Sequence, residues 1–179
     1  ADMRSPELAA LAEADALVLL PLGSMEQHGP HLPVDTDSLL AETVSLEAAK
    51  RLAGTQPVVV APTVWTGMSE HHMGFCGTIT LSFETFSAVL REVCQSIHRH
   101  GFTKIMIVNG HGGHQAPLQV LVGELSRVLA HPVQALTYWA LEASRQAYTG
   151  ILTDQSRVLH AGEAETSMVL SLTPDRVDE

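Results

Sequence analysis

Four short stretches, residues 16–20, 58–61, 105–108 and 133–136, are apolar at nearly every position rather than at every second one. Strands buried on both faces have this pattern, and they belong to parallel sheets covered by helices. Between them, apolar residues recur at helical spacing. Residues 38–53 set Leu39, Leu40, Val44, Leu46, Ala49 and Leu52 largely on one stripe, and Gly54 stands where such a helix stops. Residues 84–100 do the same through Phe86, Val89, Leu90, Val93 and Ile97, ending at Gly101. Residues 115–130 follow through Leu118, Leu121, Val122, Leu125 and Leu129. Strand and helix alternate throughout, which predicts a layered α/β fold with a mainly parallel sheet. No internal repeat or linker interrupts the pattern, so one domain spanning residues 1–179 is expected.

Composition narrows the function. The formal charge is −10, with 20 acidic residues against 10 Lys and Arg, which argues against a nucleic-acid or anionic-membrane partner. The longest apolar stretch, residues 16–22, falls far short of the roughly 20 residues that cross a bilayer. No basic-then-apolar leader opens the chain, and a cytoplasmic location is expected. Cys76 and Cys94 form no disulfide framework and read as reduced packing residues. The unusual count is histidine: there are 10, as many as all Lys and Arg together.

The polar residues gather just past the carboxyl ends of the predicted strands, where open α/β sheets hold their ligands. The first strand runs into Glu26-Gln27-His28, the second leads to Glu70-His71-His72, and the third runs into Asn109-Gly110-His111-Gly112-Gly113-His114. Glu26 and His28 are two residues apart in an extended segment, so their side chains point the same way. Asp35-Thr36-Asp37 follows at a helix start, where Asp35 reads as an N-cap. With His111 these make a Glu/His/Asp/His set that suits zinc, manganese or iron in a hydrolytic site, where a carboxylate between two metals holds an acidified bridging water. His71 and His72 read equally well as a polar loop or as ligands. His98, His100 and His131 read as surface residues near a helix end and a turn.

Two segments admit more than one reading. The glycines after His111 could cradle a phosphate on backbone N–H groups, which keeps a metal-dependent phosphate- or nucleotide-handling enzyme as an alternative. There is no Gly-x-Gly-x-x-Gly and no Gly-Lys-Ser/Thr, however, and close backbone approach around His111 is the more natural use of the glycines. In His160-Ala161-Gly162-Glu163-Ala164-Glu165-Thr166-Ser167 a helix begins near Gly162. Glu163 and Glu165 cannot face the same way on it, so one joins a site and the other is solvated or bonded to backbone.

Taken together, residues 22–33 with Asp35-Thr36-Asp37, Ser69-Glu70-His71, Gly77-Thr78, residues 109–113 and residues 160–167 resemble the motifs of the creatininase family of amidohydrolases, in order along residues 17–170. The resemblance implies a three-layer α/β/α sandwich that carries two divalent metal ions, zinc, manganese or iron, and hydrolyses a non-peptide or cyclic C–N amide bond of a small molecule through a metal-bridging hydroxide. It implies Glu26, His28, Asp37 and His111 as metal ligands with Asp37 as the bridge, Glu165 as a further ligand, and His160 as the catalytic residue that passes a proton to the departing nitrogen. It also implies a homo-oligomer, a hexamer by the family's habit. Gly112 and Gly113 stand where creatinine-hydrolysing members carry an aromatic residue and a carboxylate, which argues against creatinine as substrate. His114 and Cys76 replace the family's usual Asn and Pro. Family chains normally continue past the acidic motif, so the domain is expected to lack the usual C-terminal part, and a non-catalytic subunit of a hexameric assembly is a second alternative.

Overall fold

A computed structural model describes residues 3–178. Ala1, Asp2 and Glu179, the ends of the expected domain, lie outside the described residues. All four apolar stretches are strands: β1 (Leu17–Leu22), β2 (Val58–Val60), β3 (Lys104–Asn109) and β4 (Val133–Thr137). They form one parallel sheet in the order β2-β1-β3-β4. The helices are α1 (Ser5–Glu13), α2 (Thr36–Leu52), α3 (Phe83–Arg99), α4 (Gln115–Leu129), α5 (Glu142–Ile151) and α6 (Glu163–Leu172). None of them is long and apolar enough to cross a membrane.

The layers follow from which side chains each strand sends to each face. Leu20, Leu22, Ile105 and Ile107 pack on Phe86, Leu90 and Cys94 of α3 and on Leu118, Leu121 and Leu125 of α4. On the other face Leu40 of α2 and Val169 of α6 close over Leu32 and Tyr138. Helices thus cover both faces, which gives the three-layer α/β/α sandwich. At the amino edge, Leu8 and Leu11 of α1 cover Ala16, Val18, Val59 and Phe102.

This strand order places a crossing point at the centre of the sheet. β1 and β3 are neighbours whose last pair in register is Leu22 with Asn109. β1 leads to α2 on one face, and β3 leads to α4 on the other. Their loops part in opposite directions and leave a crevice between them, the position where doubly wound sheets bind ligands. Gly110 makes the crevice narrow: a Cβ there would meet the Asp37 carbonyl oxygen and, at 2.9 Å, Ala41 Cβ, so only glycine lets the end of β3 lie against the start of α2. That approach carries His111 up to Asp37.

Candidate metal centre

Five predicted site residues, Glu26, His28, Asp37, His111 and Glu165, are buried and meet in this crevice. His111 Nδ1 lies 3.0 Å from Asp37 Oδ2 and 3.2 Å from Glu26 Oε1. His28 Nε2 lies 3.1 Å from Asp37 Oδ1 and 3.8 Å from Glu165 Oε2. Asp37 therefore sits between two imidazoles, one on each carboxylate oxygen. His160 stands exposed at the rim, with Nδ1 3.4 Å from Glu26 Oε1.

The far nitrogens explain why these rings point inward. His28 Nδ1–H donates to the Glu26 carbonyl at 3.1 Å, His111 Nε2–H to the Met68 carbonyl at 3.1 Å, and His160 Nε2–H to the Gln27 carbonyl at 2.7 Å. A main-chain carbonyl can only accept, so in each neutral ring the lone pair is on the nitrogen that faces the carboxylates. Metal-binding histidines are fixed in this way. Asn109 steadies the His111 loop, accepting from His111 N–H at 3.1 Å and donating to His111 O at 2.7 Å.

The electrostatics call for positive charge. Burial works to raise the Glu26 carboxyl, but His111 and His72 beside it outweigh burial and hold it at about 2. Burial likewise opposes ionisation of Asp37, and His111 and His28 bring it below its ordinary value. The rings answer in kind. Against burial, Asp37 and Glu26 raise His111 to about 10, and Asp37 and Glu165 raise His28 to about 9. Burial, together with the charge on Asp37, pushes Glu165 up to about 7.

Yet only part of these contacts is satisfied as hydrogen bonds: His28 Nε2 bonds Asp37 Oδ1 at 3.1 Å. Both carboxylate oxygens of Glu26, Oδ2 of Asp37 and Nδ1 of His72 are buried with no hydrogen-bond partner, although nitrogen and oxygen approach to about 3 Å. Lone pairs that aim at a shared point rather than at one another mark a cation site, and these orphaned atoms fit a divalent metal. Glu26, His28 and Asp37 bring one ligand atom each within 4.8 Å of the others, as do His28, His160 and Glu165.

Among the neighbours, Asp35 reads differently from the sequence. Asp35 is the residue before α2, but its side chain makes no cap and instead pairs with Arg176 at 2.6 Å. Glu163 turns away, accepting N–H bonds from Thr153, Asp154 and Gln155. His114 has no free nitrogen: Nδ1–H donates to Asn109 Oδ1 at 3.2 Å, and Nε2 accepts from Met68 N–H at 2.9 Å. Gly113 is where close approach decides the residue, since a Cβ would strike His111 Nε2. His71 and His72 do reach the centre. His72 Nδ1 lies 3.1 Å from Glu26 Oε2, and the His71 ring stacks on His111 at 5.6 Å.

The family model described as creatininase, creatinine amidohydrolase, matches residues 1–179. The mycofactocin precursor peptide peptidase of Mycolicibacterium smegmatis is 35% identical over 163 residues, 90% of this chain and 60% of that protein. The creatinine amidohydrolase of Pseudomonas putida is 29% identical over 186 residues, 95% of this chain and 69% of that protein. A solved structure described as "Creatininase Mn" superposes with a TM-score of 0.84 at 27% identity, covering 99% of this chain and 73% of that one. The chain spans about 60% of the length of the peptidases it matches.

Proposed function

Because the chain belongs to the creatininase family, we propose that it is a metal-dependent amidohydrolase that cleaves a C–N amide bond. The observation that carries this reading is the set of buried, unpartnered oxygens of Glu26 and Asp37 that converge on Nδ1 of His111. Glu26, Asp37 and His111 would hold one divalent ion, and His28, Asp37 and Glu165 a second, with Asp37 between them. Zinc, manganese or iron suits this imidazole and carboxylate set. When bound, two such ions supply an acidified water as nucleophile and draw charge from the carbonyl oxygen.

The chain's own residues do the rest. The carbonyls of Glu26 and Met68 keep the lone pairs of His28 and His111 turned inward. His160 Nδ1 takes the proton released by the attacking water and delivers it to the departing nitrogen, so that amide and water become acid and amine. Its anchor on Gln27 O holds Nδ1 toward the reacting atoms. A cleft of about 440 Å³ beside His71 and Gly113, with Met68, Leu81 and Phe83 in its walls, gives a small amide-bearing molecule room. A short peptide amide stands beside the cyclic amide as substrate, given the similarity to the mycobacterial peptidases. Exposed Trp65, Met73, Phe75, Ile79 and Phe83 support assembly into a homo-oligomer, which sedimentation tests.

Metal analysis combined with a panel of cyclic amides, formamides and short peptides tests the reading. His28→Ala and Asp37→Ala should lose metal and all hydrolysis, whereas His160→Gln should keep metal and lose turnover by roughly 10²–10⁴-fold. Metal content like that of the wild type in both ligand variants refutes the assignment.

A further inference from the structure

The two ion positions leave part of the cluster unused. Glu26 has two buried oxygens without a hydrogen-bond partner, and the pair of positions above takes only the one that faces His111. The other, Oε2, lies 3.1 Å from His72 Nδ1, itself a buried ring nitrogen with no hydrogen-bond partner. Across from it the His160 ring lies 4.5 Å from the His72 ring, centroid to centroid, with Nδ1 3.4 Å from the other oxygen of the same carboxylate, Glu26 Oε1. Glu26, His72 and His160 each bring one ligand atom within 4.8 Å of the others.

We propose that Glu26, His72 and His160 form a third divalent-cation position, which zinc in excess fills. One carboxylate and two imidazoles are the donor set of many open zinc sites, in which three protein ligands leave the fourth place to water. His160 is already oriented for it, because its Nε2–H is committed to the Gln27 carbonyl. The far nitrogen of His72 is held only by a 3.3 Å contact from the Gln27 amide, longer than the roughly 2.7–3.2 Å of a firm hydrogen bond, so that ring can adopt the tautomer a metal needs. Sharing the Glu26 carboxylate between neighbouring ions accounts for both of its oxygens being left bare. A dication here also ties up His160 Nδ1, the atom assigned above to the proton, so filling it inhibits the enzyme. That consequence rests on the two-ion reading; the site itself does not.

Titrating the metal-free chain with zinc chloride and counting bound metal by mass spectrometry tests this directly. The wild type should take a third equivalent at zinc concentrations at least about tenfold above those that fill the first two, because the new ion faces two like charges nearby. His72→Ala and His160→Gln should both saturate at two. In crystals soaked with zinc, an anomalous peak should appear between His72 Nδ1 and His160 Nδ1. A wild type that saturates at two overturns the third position and leaves the two-ion reading standing, and so does a third equivalent retained in either variant. Fewer than two in the wild type refutes both the third position and the two-ion reading.

Discussion

His114→Gln isolates the titration of one buried ring. His114 is fully buried, and its two nitrogens are committed in opposite senses, one donating to Asn109 and one accepting from Met68 N–H. A second ring proton would point at an N–H. Burial, with the His111 ring edge-on at 4.6 Å, accordingly pushes His114 down to about 3. The unfolded chain binds a proton at this ring below about pH 6.5 and the folded chain does not, so stability falls as pH drops through that value toward 3. At 1.36 kcal/mol per pH unit, the wild type loses about 2 kcal/mol between about pH 7.5 and about pH 5 from this ring alone. Glutamine does not titrate there, and every other group contributes equally to both proteins. Urea unfolding of the metal-free wild type and His114→Gln across that range should therefore show their stability difference shifting by about 2 kcal/mol in favour of the variant at the acid end. A difference that stays flat with pH refutes the neutral, doubly committed ring.

Two further outcomes follow from packing and burial. Gly110→Ala should push the end of β3 off the start of α2 and displace His111 from Asp37, lowering metal affinity by roughly 10–100-fold, as read by competition with a coloured chelator; unchanged affinity would mean that the approach of the two elements does not set the centre. Burial pushes the Cys94 thiol up to about 12, whereas Cys76 is exposed, so Ellman's reagent should label one thiol in the folded chain and two after unfolding.

The sheet was legible because helices cover both of its faces, so each strand reads as a nearly continuous apolar run, broken in β4 by the exposed Gln134 at the sheet edge. Helices α2, α3 and α4 were legible because each sends a stripe to a core, and α6 because Gly162 and an acidic first turn mark its start. Helices α1 and α5 were not: both are short and neither contains a buried residue, so neither carries the long stripe of α2, α3 and α4. In the site, Glu26, His28 and His111 were visible because each follows a strand directly. His72 could be read either as a ligand or as part of a polar loop, because what brings it to Glu26 is the path of the chain after β2, which loops back over β1. Gly67 accepts Leu81 N–H at 2.7 Å in that loop, and Ser69 Oγ meets Ser24 Oγ. Such a path depends on contacts about 45 residues apart in sequence, as for Ser24 and Ser69, and no local pattern records it. Asp35 misled for the opposite reason. Its local position is that of a cap, but Arg176, far along the chain, takes its carboxylate.

The Leu22–Asn109 pair, where β1 and β3 end side by side, has a consequence for how the molecule assembles. The donors on its two sides come from distant parts of the chain, Glu26, His28 and Asp37 after β1 and His111 after β3, and until those strands pair the full set is not assembled. A dication cannot template early folding here; it captures a sheet already formed. Its effect should then appear in the unfolding rate, slowing escape from the native state, while the folding rate stays as it is without metal.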